Sequence, residues 1–320
     1  SCIASPMTCI SCMQVDCQED PSHPLLQAIR SFFRQEQNIA IQMAIAFPIL
    51  SKFCSFCYPL TQHGKFVDRI VDNVREVINL RRQNKSHRAP DLVQAMLDVR
   101  AEAGEDNSGK QAVLLEDRHV LANSFLFLTA GFDTTASSLT FTVYCLAKHP
   151  KEQEKVYAEL SKMIPSGEDF NYDNVRELKY LDAVVNESMR MYPSVVLFTS
   201  RMCEEDVTIM DCRIPAGTNI IIPTWQLHHD PELWSDPWEF KPDRFLEEEI
   251  NPTAFLPFGL GPRICIGKRF ALLELKIALC KMLRKYRVTL SETMCEPKLT
   301  IATALLYAQD GVNVRLESRD

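Results

Sequence analysis

Cys265 stands in the run Phe258-Gly259-Leu260-Gly261-Pro262-Arg263-Ile264-Cys265-Ile266-Gly267. A glycine-rich loop delivers a thiol and then enters an amphipathic stretch, Gly267 to Tyr286. Its spacing predicts a helix, with Phe270, Leu273, Ile277 and Met282 among the core positions. The first N–H groups of such a helix lack partners within it and carry its positive dipole end. Placed against a sulfur they favour the thiolate, the form in which cysteine binds a metal. Gly259, Gly261 and Gly267 are expected to adopt positive φ and let the backbone approach closely. Peptide N–H groups can then tune the sulfur's donor strength. The alternative is a buried structural cysteine after a turn.

Glu187 and Arg190 form an E-x-x-R pair. At i and i+3 the two side chains meet on one helix face. Alone this pair is weak, since a surface ion pair contributes only ~0–1 kcal/mol. It precedes Pro242-Asp243-Arg244-Phe245, which precedes the cysteine loop. A third cluster, Ala130-Gly131-Phe132-Asp133-Thr134-Thr135, sits in the middle of an apolar helical run. Glycine and paired threonines weaken a helix there, and an ionisable Asp133 in such a run is costly unless partnered. Leu126, Ala130 and Thr134 fall at i, i+4 and i+8, one stripe of that helix. It reads either as a kinked core helix with one solvent-facing acid or as an oxygen-binding groove.

These residues need positioning elements. The long apolar segment Asp117 to Lys148, closed by Pro150, predicts one central buried helix of roughly 48 Å. Lys151–Lys162 and Val175–Met191 predict two more helices. Pro24–Arg34, Lys65–Arg82 and Asp91–Arg100 predict three earlier ones. Arg81, Arg82, Lys85, His87 and Arg88 read as a solvated helix end, and Ala103–Lys110 as a polar loop. Val195–Ile222 reads as short strands and turns, and Trp234–Glu249 as packed irregular chain. Lys298–Val314 reads as a hairpin. The fold class expected is mainly α with a small β region.

The chain has 320 residues, 46% hydrophobic and 24% charged, an ordinary globular balance. A net charge of −7 gives no support to a nucleic-acid surface. Half of the twelve cysteines lie between Cys2 and Cys57, not in the compact framework of a small secreted domain. A reducing, cytosol-facing location follows. Cys9-x-x-Cys12 and Cys54-x-x-Cys57 are too far apart for a zinc ribbon and read as unpaired thiols. No segment holds the ~20 apolar residues of a membrane span. Ile39–Leu50 suffices for a buried helix or an interfacial contact.

The loop fits F-x-x-G-x-R-x-C-x-G and resembles the haem-binding loop of the cytochromes P450. Five fixed positions at ~5% usage each match by chance in fewer than about one window in a million. The order of the E-x-x-R pair, the P-x-R-F stretch and this loop strengthens the resemblance; Asp243 replaces the family's usual glutamate. The resemblance implies a partial P450 fold. It makes Cys265 the axial ligand of the iron of haem b, and thiolate ligation favours O–O cleavage, for which the P450s are the known case. It implies that Arg201 and Arg263 bond haem propionates, arginine giving bidentate geometry. Phe258, Gly267 and Ala130 are implied to lie against the haem. Glu187, Arg190 and Arg244 would form a buried charge triad behind it. Thr134 would place its hydroxyl at the oxygen side, and Asp133 would relay protons to it. Leu126, Ala130, Val195, Val196, Leu197, Ala304 and Leu305 match substrate-wall segments.

The resemblance is strong over residues 117–320, the catalytic core, and weak over 1–116, and is closest to the microsomal drug- and steroid-oxidising branch. It implies a single domain, N-terminally truncated, because no tryptophan here sits in the W-x-x-x-R haem contact of the family. The expected activity is insertion of one oxygen atom from O2 into an apolar small molecule, a steroid, fatty acid or xenobiotic. Electrons would come from NADPH through NADPH-cytochrome P450 reductase, with cytochrome b5 as a further partner. Lys268 and Arg269 would face an acidic redox partner. The parent protein would lie at the endoplasmic reticulum membrane, on the cytosolic face, with no anchor in this chain. Two alternatives stand beside this: a truncated, non-catalytic fragment, and a thromboxane-synthase-like haem isomerase. Asp133-Thr134 argues against the isomerase, which needs no proton delivery to dioxygen.

Overall fold

The computed structural model describes residues 22–34, 43–44, 46–83, 86, 88–102, 116–197, 200–247, 249–294, 296–302 and 304–319. Cys9, Cys12, Lys85, His87 and the expected loop at 103–110 lie outside them. The chain divides into two compact units, 1–133 and 134–320.

In the first unit, α1 (Pro24–Arg34), α2 (Ser51–Cys57), α3 (Gln62–Gln83) and α4 (Leu92–Glu102) precede α5 (Asp117–Lys148). Leu25, Leu26, Ile29, Ile70, Val74, Ile78, Val93, Val120, Leu128 and Phe132 form its core. Ile70, Val74 and Ile78 recur at one-turn spacing and bury the face of α3 that the sequence pattern predicts. The arginines after that face are not merely solvated. Arg81 is buried and makes a two-point pair with Asp91. Asp91 Oδ1 also accepts the Gln94 N–H at 2.9 Å, so one carboxylate caps α4 and neutralises α3. Arg82 holds Asp117 at 2.6 and 2.7 Å, at the first residue of α5, and Arg88 pairs with Asp98. Each described arginine of the basic run therefore orients the start or body of a following helix.

In the second unit, α6 (Pro150–Met163), α7 (Tyr172–Arg176) and α8 (Lys179–Met191) follow the last part of α5. The helix expected over Val175–Met191 is broken at Glu177 and Leu178. Asn171 and Asn174 close a capping box on α7, while the Glu159 carboxylate accepts the N–H groups of Tyr180 (2.8 Å) and Leu181 (3.0 Å). A cap lent by α6 thus starts a new helix where the apolar period runs on unbroken.

Four two-stranded antiparallel ladders follow among the described residues. β1 (Ser200–Met202) pairs with β4 (Asn219–Ile221), and β2 (Val207–Ile209) with β3 (Cys212–Ile214). The β2–β3 turn has φ of 48° at Met210 and 64° at Asp211, the two left-handed residues of a type I′ hairpin. Short helices α9 (Thr224–His228) and α10 (Arg244–Glu247) punctuate the aromatic stretch, and α11 (Lys268–Lys285) follows the cysteine loop. β5 (Tyr286–Leu290) pairs with β8 (Val314–Ser318), and β6 (Leu299–Ala302) with β7 (Leu305–Ala308). The hairpin expected over Lys298–Val314 is thus 299–308 only, and Val314 opens a different ladder. The core of this unit joins α5, α6, α8 and α11 through Tyr144, Leu146, Val156, Leu160, Leu181, Val184, Val185, Leu275, Leu279 and Leu283. Among the described residues no helix is long and apolar enough to cross a membrane.

Candidate functional site

The cysteine loop is closed on itself by main-chain bonds. Gly259 N–H donates to Leu256 O (3.1 Å), Cys265 N–H to Phe258 O (2.9 Å) and Ile264 N–H to Gly261 O (3.0 Å). Gly259 (φ 71°) and Gly261 (φ 82°) take left-handed conformations, which cost other residues ~1–2 kcal/mol. Gly267 does not: its φ is −86°, and it is the N-cap of α11. The expected positive φ is corrected there, because a cap residue already turns into the helix with negative φ and its carbonyl accepts the first helical bond. That bond is Ala271 N–H to Gly267 O, 2.9 Å. A side chain at Gly267 would meet Cys265 Sγ at 3.9 Å, an ordinary contact.

Cys265 is exposed two residues before that cap. Cys145 and Cys280 are buried, and burial pushes both thiols up to about 12, far from a usable thiolate. Cys212 is exposed too, but on a strand away from any helix start. Around Cys265 the chain exposes Leu260, Ile264, Phe270 and Ile266, the last 84% exposed. An apolar hollow of about 400 Å³ is lined by the loop's Leu260 and Gly261, by Leu256 and Leu227, and by Arg201 of β1. Arg201 Nη2 donates a long bond of 3.4 Å to Leu260 O, and Arg263 is exposed within the loop. Phe258 is half-buried against the core of the unit, with Lys268 Nζ 5.7 Å from its ring centroid. A soft sulfur donor, an apolar surround and two guanidiniums fit a flat apolar group with a thiophilic metal and acidic tails.

Glu187, Arg190 and Arg244 are brought together and almost fully buried. Arg190 donates from Nε to Glu187 Oε2 (2.8 Å) and from Nη2 to Oε1 (2.9 Å), and Arg244 Nε reaches Oε1 at 3.2 Å. Lys241 N–H donates to the same oxygen. Arg190 also donates to the main-chain carbonyls of His228 (2.8 Å), Pro237 (2.7 Å) and Glu239 (3.2 Å), while Trp234 faces both guanidiniums. One carboxylate against two arginines leaves a net positive charge, spread over these carbonyls. Asp243, the departure from the usual motif, pairs at the surface with Lys155 of α6 at 3.0 Å.

Asp133 and Thr134 are both half-buried on α5, and Leu126 and Ala130 are exposed on it. In the second unit Ser194 Oγ donates to Thr134 O at 3.1 Å and bonds Ser138 Oγ at 2.7 Å. Ser137 Oγ donates to Leu306 O at 2.7 Å. Val196 N–H donates to Ala304 O (3.1 Å), Leu306 N–H to Ser194 O (3.0 Å), and Val195 bridges Leu305. The two expected wall segments, 195–197 and 304–305, therefore meet across the β6–β7 turn and are stitched to α5. Leu197 is exposed and Val195, Ala304 and Leu305 are partly so. Val196 is 2% exposed and packs with Phe141 and Leu306 instead of facing open space. Ala304 has φ 69°, strained for a residue with a side chain. Ser137, Ser138, Ser194 and His228 had no sequence signal beyond being polar.

The sequence model of the family described as Cytochrome P450 matches residues 1–314. Mouse cytochrome P450 3A41 is 33% identical over 316 residues, covering 96% of this chain and 61% of its own length. Human cytochrome P450 3A7 is 33% identical over 314 residues, with the same two shares. Cytochrome P450 3A31 of Mesocricetus auratus is 38% identical over 280 residues, 85% of this chain and 53% of that protein. The chain thus spans between about half and three fifths of the length of these curated relatives. A match running through nearly the whole chain, with relatives above 30% identity along most of it, places this chain in the cytochrome P450 family.

Proposed function

We propose that the protein to which this chain belongs is a haem-thiolate monooxygenase. The observation that carries this reading is the exposed Cys265, held by two left-handed glycines in front of a helix start and ringed by apolar side chains. Haem b, when bound, supplies the reductive activation of O2. The overall change is substrate C–H plus O2, two electrons and two protons to alcohol plus water.

Each residue has a part in that reading. Cys265 would ligate the haem iron, two residues before the N-cap of α11. Arg201 and Arg263 would hold the propionates, while Phe258 and Gly267 would lie against the ring. Glu187, Arg190 and Arg244 anchor the aromatic stretch that leads into the loop. Thr134 holds a proton at its hydroxyl on the oxygen side, and Asp133 resupplies it. Val195, Leu197, Ala304 and Leu305 would line an apolar substrate site, with Val196 behind them in the core. The substrate class is a steroid, fatty acid or xenobiotic. NADPH-cytochrome P450 reductase, aided by cytochrome b5, delivers electrons near Lys268 and Arg269, at the cytosolic face of the endoplasmic reticulum.

The test is Cys265→Ser in the native protein. It is expected to abolish the red-shifted Soret band of the reduced carbon-monoxide complex, while Cys54→Ser leaves that band unchanged. A normal band in Cys265→Ser refutes the assignment.

A further inference from the structure

We propose that His228 is a positioning residue that holds the Cys265 loop in register with the buried charge group, by bridging Arg190 to Leu256 through both nitrogens of its ring. The proposal rests on the reading of Cys265 as the metal ligand.

His228 closes α9 and is wholly buried. Its Nδ1 lies 3.1 Å from Arg190 O, and Leu256 N–H donates to its Nε2 at 2.9 Å. A carbonyl can only accept and an amide can only donate. The ring is therefore the neutral tautomer with its proton on Nδ1. Arg190 lies in the last turn of α8, where main-chain carbonyls have no helical partner. The contact is reciprocal, because Arg190 Nη1 donates back to His228 O at 2.8 Å.

The other end of the bridge leads to the thiol. Leu256 O accepts the Gly259 N–H, which sets the left-handed glycine, and Phe258 O then accepts the Cys265 N–H. The imidazole is thus one step in a continuous series of bonds from Glu187 and Arg190 to Cys265. A donor–acceptor bridge of this kind works only while the ring is neutral. The surroundings favour neutrality: burial, the Arg190 guanidinium of α8 and the neighbouring His229 lower the His228 pKa to about 4. Glu187 offsets part of the Arg190 charge, and the Phe255 ring stacks on the imidazole at 5.5 Å. Simple core packing would need no such pair of directed bonds.

The experiment compares His228→Phe with His228→Gln in the native protein by hydrogen exchange of peptides covering 256–265 and 180–189. Phenylalanine fills the space and bridges nothing; the glutamine amide offers one donor and one acceptor. Exchange over 256–265 should rise at least about tenfold in the phenylalanine variant, the factor that ~1.4 kcal/mol corresponds to. Protection over 180–189 should be retained. With haem bound, part of the red-shifted carbon-monoxide band should be lost, and glutamine should restore both signals. Unchanged exchange over 256–265, or an equal rise in both peptides, overturns the proposal. If the phenylalanine variant does not fold, 15N-histidine spectra of the wild type decide. A neutral ring protonated on Nδ1 at about pH 5.5 supports the bridge, and an Nε2-protonated or charged ring refutes it. A Cys265→Ser protein that keeps the red-shifted band would overturn the ligand reading alone, leaving the exchange result standing.

Discussion

Gln153 binds both main-chain groups of Val288: its Nε2 donates to Val288 O and its Oε1 accepts Val288 N–H, each at 2.8 Å. Nε2 also donates to Leu146 O at 3.0 Å. A wholly buried side chain from α6 thus acts as an extra strand for the middle of β5 while tying down the end of α5. Gln153→Leu keeps the volume but orphans three buried main-chain groups. At about 1–3 kcal/mol per unsatisfied group, a loss of roughly 3 kcal/mol or more is expected in denaturant unfolding. Gln153→Glu should not rescue the fold, because a buried carboxylate keeps the acceptor for Val288 N–H but faces the Val288 and Leu146 carbonyl oxygens without a donor.

Glu187→Gln removes the negative charge that pairs with two buried guanidiniums while keeping the shape of the side chain. The expected destabilisation is about 3–5 kcal/mol, the cost of breaking a buried pair from one side. Arg190→Lys should be nearly as damaging. A single ammonium cannot serve Glu187 and three carbonyls in the plane that the guanidinium fork covers. Thermal unfolding of the two variants, compared with the surface variant Asp243→Asn, checks this.

Acid should weaken the fold well before carboxylates titrate. The folded-state pKa of His228 lies near 4, below the ordinary 6.5, with burial as the main cause; His229 and His63 are lowered by burial as well. The unfolded chain therefore binds more protons than the folded one between these values. Stability from this group is complete above about pH 6.5 and is lost as pH falls toward 4. Between pH 7 and pH 5 the His228 share is on the order of 2 kcal/mol. Denaturant midpoints at the two pH values should differ less in His228→Gln than in the wild type.

Thr134→Ala follows from the proposed chemistry. The native protein should keep haem and substrate binding. It should consume reductant with more peroxide and less product, because the hydroxyl that directs protons is gone. Peroxide per electron pair, measured with and without substrate, is the readout. Unchanged coupling would make Thr134 a core helix residue and no more.

Much of this was readable in the residues before any coordinates. The apolar run from Asp117 and the proline at 150 delimit α5 as it is found, because a long buried helix writes itself in composition. The pairing of Glu187 with Arg190 follows from i,i+3 spacing, and the glycines at 259 and 261 announce their left-handed turns. What was hidden is what depends on distant partners. The break at Leu178 comes from Glu159 on another helix, so local periodicity carried straight across it. β5 is five residues abutting a helix, and its partner lies 24 residues beyond its own end, at Val314. His228 sits in an ordinary Leu-His-His-Asp stretch, and only the positions of Arg190 O and Leu256 N give it a role. Gly267 misled because a helix cap and a left-handed turn both favour glycine.

The ladder between β5 and β8 sets an order in time. Arg319 donates to Glu154 at 2.8 and 3.0 Å, and Leu316 opposes Val288 in the ladder, so the α6 and α11 layers gain their final partners from the last residues described. During synthesis, α5, α6 and α8 leave the ribosome long before these arrive, with their shared apolar surface incompletely covered. Apolar surface and strand edges left uncovered in this way are the features that favour chaperone binding and aggregation. A chain cut before Val314 would keep the cysteine loop but leave the β5 edge without its β8 partner, a template for another strand.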